Sequence, residues 1–118
     1  MNKQKGVSLY ITIMIIAILL AIVLGAGAIL LGQLKMIKGM EKSITAFYAA
    51  DTGIEEVLMN RAAPVSSCTE INPCELDNGA EYYVEVKVAG ESDCNADNFC
   101  IRSVGEYKGT KRAIEVVY

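Results

Sequence analysis

Residues 7–31 read VSLYITIMIIAILLAIVLGAGAILL. The 25 residues carry no charge and 21 of them are apolar, the exceptions being Ser8, Thr12, Gly25 and Gly27. At about 1.5 Å per residue the run extends about 37 Å as an α-helix, enough to cross a hydrocarbon layer of about 30 Å. A secretory h-region is normally about 7–15 residues and ends beside small residues at a cleavage site, so this run is too long to be one. A plain single-pass anchor fits the length equally well.

The rest of the chain is ordinary by comparison. Of 118 residues 53% are apolar, and the excess over a soluble domain is concentrated in that one run. What remains is too small for a large enzyme core, and units of this size usually need disulfides, a metal or a partner. Formal net charge is −3, with the two ends opposite in sign. Residues 1–42 carry five Lys against one acid, whereas 43–118 carry six bases against thirteen acids. Eight acids lie between Glu70 and Asp97, with only Lys87 opposing them. Such a surface repels phosphate backbones, which disfavours nucleic acid as a partner.

Working outward from the run, residues 32–63 continue it in amphipathic form. Leu34, Ile37, Met40, Ile44, Phe47, Ile54 and Leu58 recur at three- and four-residue steps and define one helical face. With no proline between residues 7 and 63, the pattern predicts one helix of roughly 55 residues, its first half in the membrane and its second packed on a C-terminal domain. Asp51 interrupts the apolar face, either capping or facing solvent, or pairing with a base on a neighbouring subunit. Gly25 and Gly27 suit either close helix packing in lipid or local unwinding.

Residues 64–118 read as a small β-domain. Pro64 and Pro73 bracket a Ser/Cys/Asn-rich connector. In Glu81–Ala89, Tyr82, Val84, Val86 and Val88 alternate with polar or exposed positions, the mark of a strand with one buried face. Strands over Phe99–Tyr107 and Lys111–Tyr118 follow, joined through Lys108-Gly109-Thr110 as a hairpin turn. The expected fold is α+β, a long N-terminal helix on a three-stranded antiparallel sheet.

The cysteines at 68, 74, 94 and 100 form two C-x5-C spacings. Zinc sites prefer two to four intervening residues, so disulfides are the expected use, with no metal and no cofactor. The local pairs Cys68–Cys74 and Cys94–Cys100 are preferred, with a crossed arrangement left open. Disulfides place residues 64–118 outside the cytoplasm and the short N-terminus inside. Asp93, Asn95 and Asp97 alternate as calcium ligands would, but Asn98 and Val104 stand where the turn glycine and terminal glutamate belong, so a solvated acidic loop is expected. Lys108, Lys111 and Arg112 make a basic hairpin tip.

Three stretches together resemble one family. Lys3-Gln4-Lys5-Gly6 followed by Val7-Ser8-Leu9-Tyr10 and the apolar run is similar to the class III leader of type IV pilins and pseudopilins. Ala46-Phe47-Tyr48-Ala49-Ala50-Asp51-Thr52-Gly53-Ile54-Glu55 is similar to a Phe-x-Ala-Ala-acid-x-Gly/Ala motif of PilX-type minor pilins. Ile101–Tyr107 with Lys111–Val116 resembles the final hairpin of many pilin-like subunits. The resemblance implies a leader over residues 1–6, cleavage by prepilin peptidase between Gly6 and Val7, and methylation of Val7. It also implies residence in the bacterial inner membrane before assembly into a cell-surface filament. The implied partners are other pilin subunits, membrane lipid, and a pilus or type II secretion assembly platform. Typical major pilins carry glutamate at the fifth position after the cut, where this chain has Ile11. A charge in hydrocarbon is retained for a function, so its absence points to a minor or tip-type subunit.

Catalytic residues are not expected. The chain lacks histidine and tryptophan, has no phosphate-cradling loop, and shows no nucleophile with a base nearby in sequence. The alternative to a filament subunit is a single-pass, membrane-anchored binding or adaptor protein that never polymerises. That reading accounts for the apolar run and the cysteines but gives no role to the leader or to the Ala46–Glu55 motif.

Overall fold

A computed structural model describes residues 4–91 and 93–118. The first three residues of the 1–6 leader therefore lie outside the described residues. The elements are helix α1 (Gln4–Met59) and strands β1 (Cys74–Glu75), β2 (Glu81–Val88), β3 (Phe99–Tyr107) and β4 (Thr110–Val117). The chain divides into two compact units, Met1–Lys38 and Gly39–Tyr118.

The first unit is helical throughout its described length. Its β-branched residues are mediocre helix formers in water. In a lipid setting, however, every backbone N–H and C=O must find its partner within the segment, which leaves the helix as the available form. The apolar side chains from Val7 to Leu34 that the structure describes are exposed, including Leu9, Ile16, Leu24 and Leu31.

The second unit sets the end of α1 on an antiparallel sheet of order β1-β2-β3-β4. The sheet has four strands where the sequence predicts three. The added strand is the two-residue β1, whose Cys74 and Glu75 pair with Tyr82 and Glu81. Strand β3 lies over the predicted residues, and the other two differ by one residue at their ends. The β3–β4 connection closes with Tyr107 opposite Thr110, so its central residues are Lys108 and Gly109. Both have positive φ, +46° and +79°. That is the primed turn whose twist matches the flanking strands, and glycine supplies the second position without steric cost.

Helix α1 ends at Met59, with Asn60 N–H donating to the Val57 carbonyl and Ala63 N–H to the Asn60 carbonyl just before Pro64. The connector then runs along β2, where Val84 N–H donates to the Cys68 carbonyl at 2.9 Å. The core comprises Ala49, Ile54 and Val57 of α1 with Cys68, Ala80, Tyr82, Val84 and Ile101.

Candidate functional site

The helix–sheet seam is built from small residues. Ala46, Ala49, Ala50 and Val57 are fully buried, with Gly53 and Ile54 beside them. At about 100° per residue, positions 46, 49, 50, 53 and 57 fall on one side of a helix. Opposite them lie Gly105 and Ser103 of β3. A side-chain carbon added at Gly105 would overlap the Ala46 carbonyl oxygen and sit 2.6 Å from the Ala50 nitrogen. One added at Gly53 would overlap Ser103 Oγ and come within 3.0 Å of Val84 and Tyr82. Gly105 thus lets β3 meet the helix backbone, and Gly53 leaves room on the helix for the side chains of Ser103, Val84 and Tyr82.

The helix crosses the sheet in a definite sense. Arg112 of β4 donates from Nε to Ser43 Oγ at 2.7 Å, Gly105 of β3 meets Ala46, and Tyr82 of β2 donates its hydroxyl to Glu56 Oε2 at 2.9 Å. Burial, followed by the hydrogen bond to Glu56 and its negative charge, raises the Tyr82 phenol above its ordinary value.

This geometry corrects the sequence-based choice of packing face. Of the predicted stripe, Ile54 is buried and Leu58 half-buried, while Leu34, Ile37, Met40, Ile44 and Phe47 remain exposed. The sheet takes the alanine side because only small residues allow the close approach that Gly105 requires. The large apolar side chains Met40, Ile44, Phe47 and Tyr48 are left on the surface, with Phe47 and Tyr48 in an edge-to-face pair at 6.3 Å. Ser43, Ile44, Phe47, Tyr48 and Arg112 border a shallow, mostly apolar depression. The signal for the packing face was present in sequence as small residues at helical spacing, but apolar size pointed to the opposite side.

The cysteines form two local disulfides, Cys68–Cys74 and Cys94–Cys100, with Cα separations of 5.2 and 5.6 Å. Cys68 is 1% exposed and its bridge fixes the connector beside β2. The second bridge closes the loop between β2 and β3, whose base is held by Ala89 N–H donating to the Asn98 carbonyl. Paired cysteines belong to an oxidising, extracytoplasmic setting. Helix α1 is long and apolar enough to cross a membrane, as an anchor would be.

The remaining candidate residues do not converge. Gly6 and Val7 lie within α1 and are exposed. Asp93, Asn95 and Asp97 are exposed, and among the described residues no three His, Cys, Asp or Glu side chains gather as a metal set. The basic hairpin tip disperses: Lys108 sits over the Tyr107 ring at 5.0 Å, Lys111 pairs with Glu106 at 3.1 Å, and Arg112 turns to Ser43. On the outer sheet face, cross-strand register sets Arg102 between Glu85 and Glu115, one cation flanked by two carboxylates. Comparison with protein-family models, with curated proteins and with solved structures finds no match.

Proposed function

We propose that this chain is a structural subunit of a type IV pilus-like filament, a minor or tip-type pilin that waits in the membrane and is assembled through its N-terminal helix. The observation that carries the reading is the uncovered apolar surface. It runs through the Val7–Leu31 segment and recurs at Ile44, Phe47 and Tyr48 on a domain whose own core is already complete. Lipid covers such a segment before assembly, and equivalent helices cover it afterwards, with no change in the chemistry of the surface. Prepilin peptidase would cut between Gly6 and Val7, and the disulfide-closed domain would face solvent. The partners are other pilin subunits and an assembly platform of the pilus or type II secretion kind.

N-terminal sequencing of the mature protein, combined with shearing of cells, tests the reading. A mature chain beginning at Val7 and recovered in the sheared fraction supports it, as does loss of processing in Gly6→Arg. A chain that begins at Met1 and stays in the membrane after shearing overturns it in favour of an anchored binding protein.

A further inference from the structure

The two edges of the sheet differ in how they end. Beside β2 lie the short β1 and the disulfide-held connector, with Cys74 paired to Tyr82 and Val84 N–H donating to the Cys68 carbonyl. Beside β4 there is no such cover. Strand β4 is last in the order β1-β2-β3-β4 and runs eight residues without a proline. Among the described residues, residues 110–117 make no backbone hydrogen bond outside their ladder with β3. An open edge of that length is a template for a further strand, and native proteins normally shorten, bulge or cover it.

The flanks of this edge specify what fits it. Pairing with Gly105, Ser103 and Ile101 puts Arg112, Ile114 and Val116 on the helix face of β4. The depression bordered by Ser43, Ile44, Phe47, Tyr48 and Arg112 lies on that face, where alternate side chains of an added strand would project. Arg112 is exposed and gives Nε to Ser43 Oγ, and among the described residues it has no carboxylate partner. Its terminal guanidinium nitrogens keep their donors for a ligand.

We propose that β4 accepts an extended segment of another protein as a fifth strand. Apolar side chains of that segment fill the depression beside Ile44 and Phe47, and one of its carboxylates meets Arg112. Backbone pairing supplies the affinity, while the depression and the guanidinium select the partner. A second copy of this chain fits poorly. The helix face of its β4 carries Thr110, Arg112, Ile114 and Val116, with no carboxylate to offer. Antiparallel pairing of β4 with β4 would also turn the Gly39 ends of the two units to opposite sides, whereas an anchor through α1 holds both on one. The inference goes beyond the filament reading and stands without it, since the edge is equally open in an anchored binding protein.

A synthetic probe of sequence Glu-Thr-Val-Thr-Val-Thr-Glu tests this on the full-length chain in detergent micelles. Its two Glu and two Val share one face, so either strand direction can set a Glu beside Arg112. The probe is expected to slow hydrogen exchange across residues 110–117 and to leave the β1 edge unchanged. A counterpart with Lys in place of both Glu should bind at least about tenfold more weakly, and one methylated on its backbone nitrogens should give no protection. In Arg112→Ala the preference for Glu over Lys should disappear while some protection of 110–117 persists. Unchanged exchange at the highest soluble concentration of probe overturns the proposal, as does equal binding of the Glu and Lys probes to the parent chain. So does efficient disulfide dimerisation of Ala113→Cys in the membrane, which would show a second copy on the edge; the native cysteines are all paired and do not confuse that readout. None of these measurements involves filaments, so failure here leaves the filament reading standing.

Discussion

The two units of the chain share one helix but solve the problem of apolar surface in opposite ways. In Met1–Lys38 the described apolar side chains are large and uncovered, and nothing lies within 4 Å of where a side chain would project from Gly25, Gly27 or Gly32. In Gly39–Tyr118 the same helix turns a strip of alanine and glycine toward the sheet and buries it completely. On α1 the sheet thus covers the small residues together with Ile54 and Val57, while Met40, Ile44, Phe47 and Tyr48 stay exposed. Apolar character alone does not say which partner a surface has; side-chain volume decides whether a backbone can come close enough to be that partner.

The comparison breaks first at Gly105. Gly105→Val puts a branched side chain into the helix backbone, and because backbone cannot rotate aside, a loss of about 3 kcal/mol or more is expected. Near-UV circular dichroism of the full chain in detergent would show the loss of fixed packing. Gly27→Ala in the first unit should leave that signal unchanged, or raise helix stability by up to about 1 kcal/mol. Equal effects at both positions would remove the distinction between the units.

The bridges come next. Replacing both Cys68 and Cys74 by Ser removes a constraint on a short loop, worth about 2–3 kcal/mol on loop-entropy grounds. The Cys94–Cys100 bridge has the same sequence separation of 6, so the entropic part is equal. The larger loss in denaturant titrations is expected for Cys68–Cys74, because Cys68 is part of the core and holds the connector along β2.

Tyr82→Phe removes the hydroxyl that reaches Glu56 and should cost about 1–2 kcal/mol near neutral pH. The sign of its pH dependence follows from the raised phenol: folding favours the protonated form. That contribution is complete below the ordinary tyrosine value of about 10 and is lost as pH rises through the higher folded value. Unfolding midpoints at pH 9 and pH 11 should therefore differ more in the parent than in Tyr82→Phe.

Smallest is Ser103→Ala. Ser103 Oγ is fully buried against the Gly53 side of the helix, with no hydrogen-bond partner among the described residues. Removing it relieves an unsatisfied group, so a change within about 0.5 kcal/mol, or a slight gain, is expected in thermal melts. A large loss would mean that the hydroxyl itself holds the seam.

Much of the architecture is legible in the sequence alone. Alternation in Glu81–Ala89, the Lys108-Gly109-Thr110 turn and the uninterrupted apolar run each reflect local physics, the side-chain period of a strand, backbone sterics and the length of a helix against a bilayer. The two-residue β1 was not legible, because a pairing that short carries no period and depends on where the Cys68–Cys74 bridge places the connector. The covered face of the helix differs from the one that apolar size predicts, for a related reason. A periodic stripe of large residues and a periodic stripe of alanines coexist in residues 40–58, and size favoured the wrong one.

The sequence by itself determined that there is a membrane-length helix, a small acidic β-domain and four cysteines to staple it, since these follow from composition, periodicity and spacing along the chain. Only the tertiary structure decided which side of the helix the sheet covers, which cysteines join, and that Ile44, Phe47 and Tyr48 stay uncovered. The covered side of the helix and the uncovered residues depend on contacts between residues far apart in sequence, above all Gly105 against the helix backbone at Ala46 and Gly53 against the Ser103 side chain. Close approach of two backbones is a property of both surfaces at once, and neither stretch announces it alone.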